Sequence, residues 1–147
     1  MKNKKYPQKK IFKPTNMNKY SGKSLPISRS SWETKFMRYL DLNPNVISWL
    51  SEEPKIPYVN PHTGTIWNYH PDFLVKVKEG DSIIIKLIEI KPYKQTIKPI
   101  NKKGKRKKTL LHEEQTYALN TAKWNAAINF CKRKGWEFII LTENELY

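Results

Sequence analysis

Two hydrophobic periods alternate along this chain, and each marks out its own elements. Beginning at Ser30, apolar side chains recur at Trp32, Phe36, Tyr39 and Leu40, the spacing of an amphipathic helix with one core-facing stripe. The period then shortens. Asn45 to Leu50, Lys55 to Val59 and Thr65 to Tyr69 look extended, with a turn at Pro61-His62-Thr63-Gly64, and predict a short β meander. Phe73 to Lys78 and Ile83 to Lys91 read as two strands joined by Glu79-Gly80-Asp81-Ser82, whose Gly-Asp pair is a hairpin signal. From Leu111 to Lys134 the helical period returns, with Ala118, Leu119, Ala122, Ala126, Ala127 and Phe130 as its buried side and Gly135 as its stop. Trp136 to Thr142 then predicts a buried strand, and a strand, helix and strand in that order join a sheet in parallel. The expected fold is α/β: a mixed sheet flanked by helices in the order α-β-β-β-α-β.

The hairpin fixes a register with chemical consequences. A symmetric turn, whether its loop is Gly80-Asp81 or all four residues from Glu79 to Ser82, pairs Lys78 with Ile83 and, stepping outward, sets Asp72 opposite Glu89. Opposed side chains have Cβ atoms about 5 Å apart, and like charges in that position repel. A divalent cation reverses the sign, because Mg²⁺ or Mn²⁺ takes hard carboxylate oxygens together with water and phosphate. Lys91 lies two residues past Glu89 and so projects from the same face, where an ammonium can stabilise charge on a phosphate or hold an attacking water. The same register sets His70 opposite Lys91, where it either touches substrate or simply finishes a strand.

Two roles are open to Glu33. Ser30 and Glu33 fit a capping box, in which the glutamate serves the helix start alone. Glu33 also borders the buried stripe, at a helix start able to rest against the active face of the hairpin, where it would be a third metal ligand. Lys123 and Trp124 on the long helix either face DNA or are a surface lysine and a half-buried ring.

A helix with a glutamate, strands, Pro71-Asp72, a strand carrying Glu89-Ile90-Lys91, a long helix and a last strand together resemble the PD-(D/E)xK nuclease superfamily over roughly residues 30 to 142. The stretch from Pro57 to Val75, the basic amino-terminal segment and the small size resemble the head completion nucleases of tailed bacteriophages, and the cutting subunit of some heteromeric transposases is similar over the same core. The resemblance implies a restriction-endonuclease-like fold and Mg²⁺-dependent hydrolysis of DNA phosphodiesters, with Mn²⁺ as a substitute. It implies Asp72 and Glu89 as metal ligands, Lys91 as the catalytic lysine and Glu33 as the helix glutamate assisting the metal. The task implied is trimming DNA that protrudes from a filled head, with head or neck proteins as partners and the virion or host cytoplasm as location. Two alternatives stay open: a non-catalytic DNA-binding virion protein, and a transposase or restriction-type endonuclease subunit.

Charge points to nucleic acid independently. The 147 residues carry 28 Lys+Arg against 13 Asp+Glu, a net +15, but the excess is not spread evenly. Nine basic residues lie in 1–29 and nine in 91–108, with no acid in either stretch, and the other 10 face all 13 acids. Localised basic tracts are the footprint of phosphate binding. The residues expected to touch DNA are Lys94, Lys98, Lys102, Lys103, Lys105, Arg106, Lys107 and Lys108 from the second tract, and Lys9 and Lys10 from the first. Residues 1–29 hold Pro7, Pro14 and Pro26 and little periodicity, so they are expected as a disordered, basic, flexible arm preceding a nuclease domain at 30–147. Tyr6, Phe12 and Tyr20 interleave its lysines, to stack on bases, dock on a partner or anchor the arm to its own body. No sequence-reading module is evident, so recognition of backbone, ends or branches is expected. With no signal-peptide core or membrane-length apolar run, the chain is expected to be soluble and not secreted. Its lone cysteine, Cys131, excludes an internal disulfide and is expected in the core, and the three histidines lack zinc-ligand spacing.

Overall fold

A computed structural model describes residues 9–146. Its elements are β1 (Lys10–Ile11), β2 (Ile27–Ser28), α1 (Ser31–Leu42), β3 (Val46–Ser51), β4 (Ile56–Val59), β5 (Ile66–Tyr69), β6 (Phe73–Glu79), β7 (Ser82–Ile90), α2 (Lys107–Lys134), β8 (Glu137–Leu141) and α3 (Glu143–Leu146). The central sheet runs β3-β6-β7-β8, and its strands and the two main helices follow the expected α-β-β-β-α-β order.

Hairpin β6–β7 holds the register anticipated from its turn: Lys78 pairs with Ile83 and Phe73 with Ile88. Gly80 has φ 58°, a conformation that glycine adopts without the steric cost a Cβ brings. Across α2, β8 joins β7 in parallel, Glu89 opposite Ile140. That helix begins four residues before the expected Leu111, so Lys107 and Lys108 form its first turn, and it stops at Gly135, whose φ is 72°.

The strand period divides the core in two. Ile88 and Ile90 of β7 pack with Phe73, Val75, Val46 and Trp49 under Phe36, Met37 and Leu40 of α1. Leu87 faces the other way, into a cluster with Trp124, Ala127 and Cys131 of α2 and with Ile56, Tyr58 and Tyr69. The sheet therefore lies between α1 on one face and α2 on the other. On α1, Met37 replaces the expected Tyr39 in the buried stripe, and Tyr39 is exposed. On α2, Trp124 and Asn120 are buried, whereas Ala118 is exposed.

One expectation is corrected. The meander does not form: β3 pairs with β6, and β4 and β5 make a separate two-stranded ribbon beside α2, with Ile56 opposite Tyr69. Pro57 lacks the N–H that a central strand needs, which suits β4 to such a ribbon. Residues 9–29 lie along the α1 side, where Phe12 and Tyr20 pack on Trp49 with ring centroids 6.2 and 4.9 Å away. The buried Asp41 carboxylate accepts from Thr15 N–H at 2.8 Å and Asn16 N–H at 2.9 Å, and Pro26 is fully buried. Low overall hydrophobicity hid this segment, because a few large rings and one carboxylate suffice to hold it. Tyr6 and the first lysines lie outside the described residues. Among the described residues, no helix is long and apolar enough to cross a membrane.

Candidate active site

Glu89 is the next to last residue of β7 and shares the α2 face with Leu87, yet it is only 4% exposed. An ionised carboxylate buried this far needs partners. Tyr69 Oη donates to Glu89 Oε2 at 2.6 Å, and Lys91 Nζ lies 3.5 Å from Glu89 Oε1. The β4–β5 ribbon supplies the tyrosine, and strand alternation supplies the lysine.

Asp72 stands one residue before β6, at the mouth of the hairpin. Its Oδ2 accepts from the Ile90 N–H at 2.8 Å, and its own carbonyl accepts from the Glu52 N–H at 3.1 Å. Burial, with the Glu89 charge second, pushes the Asp72 carboxyl up to about 8. Burial also raises Glu89, against the pull of the Tyr69 hydroxyl and the Lys91 ammonium, and it raises the Tyr69 hydroxyl, with the Glu89 charge adding to it. Both acids thus hold their protons more tightly than a carboxylate in water does. Such a pair fits a hard divalent cation, which can replace those protons and cancel the repulsion.

Glu33 stands differently. Ser30 caps α1 by accepting from the Glu33 N–H at 3.1 Å, and Glu33 Oε2 accepts from the Arg29 N–H, one residue before the cap. The glutamate therefore serves the helix start, and α1 packs on the sheet face opposite Glu89. Its charge still reaches Asp72, as a minor contribution to that carboxyl's shift. Among the described residues, no group of three or more acids, histidines or cysteines lies close enough to hold a metal. Asp72 and Glu89 are the direct candidates, whereas Glu33 is engaged at the helix start.

His70 does not extend the register to Lys91. The Lys91 N–H donates to Leu141 of β8, and His70 Nδ1 sits 3.3 Å from the Glu52 carbonyl. Cys131 is core, with its thiol pushed up to about 11 by burial.

Sequence reasoning assigned no site role to Tyr69 and left Lys123 open. Lys123 sits half-buried on α2, its Nζ 5.9 Å from the ring centroids of both Tyr58 and Tyr69. Burial, and then the charge on Lys91, hold its pKa below the usual lysine range, whereas Glu89 raises it. No sequence spacing signals either residue, since only the ribbon's placement beside α2 brings them to the carboxylates. Trp124, the other residue left open, is 7% exposed and belongs to the core.

The basic residues separate into groups. Lys94, Lys98, Lys102 and Lys103 are exposed on the segment that leads from Lys91 to α2, and Arg106, Lys107 and Lys108 are exposed at the start of that helix. Lys105 is already engaged, donating to Glu113 at 3.0 Å and to the Ile100 carbonyl at 2.7 Å. Lys9 and Lys10 are exposed on the amino-terminal segment, and Lys10 lines a groove along α1, across the sheet from the carboxylates.

The chain has relatives of known kind. Residues 43–143 match the TnsA-like endonuclease N-terminal family, a span holding Asp72, Glu89, Lys91 and Lys123. The chain is also 39% identical over 137 residues to the head completion nuclease of Enterobacteria phage T4, covering 90% of this chain and 89% of that protein. With two opposed carboxylates and a lysine at the end of the hairpin, inside the matched span, the chain belongs to the TnsA-like endonuclease family.

Proposed function

We propose that this protein is a metal-dependent DNA endonuclease of phage head completion, with Asp72 and Glu89 as metal ligands and Lys91 as the catalytic lysine. The observation that carries the reading is the burial of two mutually repelling carboxylates on one sheet face, with an ammonium 3.5 Å from one of them. Near-full-length likeness to a head completion nuclease supports the biological setting, and the family match supports the cutting.

Each residue has a distinct task. Exposed lysines from Lys94 to Lys108 draw a DNA strand toward the hairpin end. The Ile90 N–H and the Tyr69 hydroxyl fix one oxygen of each carboxylate, and Lys91 lies 3.5 Å from the other oxygen of Glu89. A bound Mg²⁺, or Mn²⁺ in its place, supplies charge neutralisation at the phosphate and makes a water more acidic. Lys91 stabilises the added negative charge or orients the attacking water. Contacts of this kind follow the backbone and carry no base sequence, so strand ends or branches select the site. Head or neck proteins are the matching partners, in the virion or the host cytoplasm.

The test is cleavage of supercoiled and linear DNA with Mg²⁺ or Mn²⁺ by wild type, Asp72→Ala and Lys91→Ala, purified identically and checked for folding and DNA binding. Wild type should cut, and each variant should lose about 100-fold or more, the scale of a removed charge-stabilising group. Equal cutting by all three would refute the assignment. Binding by all three with cutting by none would favour a structural DNA-binding protein.

A further inference from the structure

Lys123 lies beside the proposed catalytic centre without an acidic partner. Long charged side chains normally run their stems over apolar surface and leave the head in water. Here the head is half-buried over Tyr58 and Tyr69, 5.9 Å from each ring centroid. Among the described residues, no carboxylate lies within ion-pairing distance of it. The acid whose charge reaches it, Glu89, already meets Tyr69 and Lys91. Attraction to two ring faces offsets the partial loss of hydration. That explains how the cation is tolerated but not what it faces.

The neighbours supply an answer. Lys91 follows directly on β7 and Lys123 comes from α2, and the charge on Lys91 reaches Lys123. Once the carboxylates are neutralised by metal, the site presents two ammonium groups and no protein anion to balance them. A phosphodiester is the anion that the proposed reaction brings there.

We propose that Lys123 is a second catalytic lysine, its ammonium contacting a non-bridging oxygen of the DNA phosphate beside Lys91. Tyr58 and Tyr69 hold that ammonium in place before substrate arrives, so the β4–β5 ribbon positions both Lys123 and Glu89. This role rests on the nuclease reading, but its test does not depend on cleavage alone.

Lys123→Met keeps the apolar stem over the rings and removes the charge, and Lys123→Arg restores it. Two quantities are read: kcat/KM with Mg²⁺, and the affinity for a short DNA duplex in EDTA over a series of salt concentrations. Lys123→Met should lower kcat/KM by about 10- to 100-fold, the range of a charge-assisted hydrogen bond, with Lys123→Arg recovering most of it. The slope of log affinity against log salt should shrink by about 1 in Lys123→Met, with the melting temperature near that of wild type. An unchanged salt slope together with unchanged kcat/KM overturns the proposal. A slope unchanged in both variants, with cleavage lost only in step with a lower melting temperature, assigns Lys123 to structure and also overturns it. Should wild type not cut at all, the nuclease reading falls, and the salt slope alone decides the phosphate contact.

Discussion

Asp72→Asn should make the metal-free protein more stable as it abolishes cleavage, and the gain should depend on pH. The carboxyl of Asp72 is raised from 3.8 to about 8 by burial and by Glu89. A raised acid leaves folding unpenalised below its unfolded value. As pH climbs from about 4 to about 8 the unfolded chain gives up the proton and the folded one keeps it, so stability falls through that window and is level above it. Asparagine carries no such penalty, and its amide oxygen can still accept from the Ile90 N–H. Between pH 5 and pH 8 the ceiling on the growth of the gain is about 4 kcal/mol, at 1.36 kcal/mol for each unit. Local opening and entry of water relieve part of that, leaving roughly 2 kcal/mol, or about 4–8 °C in melting temperature for a chain of this size. The assay is thermal unfolding in EDTA of wild type and Asp72→Asn at both pH values, repeated with Mg²⁺. Saturating Mg²⁺ should narrow or reverse the gap at pH 8, because it stabilises the species that binds it. A variant less stable than wild type at pH 8, or one whose advantage is the same at pH 5, would refute the argument that these carboxylates are held in conflict.

The two roles of Glu33 can be separated by Glu33→Gln, which keeps an oxygen to accept from Arg29 N–H and removes the charge. If capping is its whole task, cleavage should stay within about threefold of wild type, and a loss of 10-fold or more at unchanged melting temperature would instead mark a metal or water ligand. Asp41→Ala should free the amino-terminal segment by leaving the Thr15 and Asn16 N–H groups without their acceptor, at a cost of about 2–4 kcal/mol. Hydrogen exchange across residues 12–26 should rise far more than in the sheet, and uniform protection would show that the aromatic contacts alone hold the segment.

What was legible in the sequence was local or repeated by symmetry. A short turn determines a hairpin register, and alternation then assigns faces, so Asp72, Glu89 and Lys91 could be set together before any fold was known. The parallel placement of β8 followed from the handedness of a crossover. Beyond reach were contacts between segments distant in sequence with no shared period. Tyr69 meets Glu89 only because β4 and β5 leave the central sheet as a ribbon, and Lys123 meets Tyr58 and Tyr69 only because α2 lies against that ribbon. The packing of residues 9–29 was hidden for a similar reason, since Phe12, Tyr20 and the Asp41 acceptor answer to tertiary partners. Glu33 fits a cap by its spacing from Ser30 and a ligand by its place beside the buried stripe, and the Arg29 contact is that of a capping glutamate.

The two acids are not held with equal stiffness. Glu89 belongs to a strand with neighbours on both sides, its backbone paired across to Ile140 and its carboxylate pinned from the ribbon. Asp72 lies just outside the ladder, where one amide on its side chain and one on its carbonyl secure it. The Glu89 side of the site is therefore tied into the sheet at more points than the Asp72 side, which rests on the buried Pro71 and two amide contacts. A cation seated between the two would therefore meet one ligand set by the strand and one set by the turn that precedes β6.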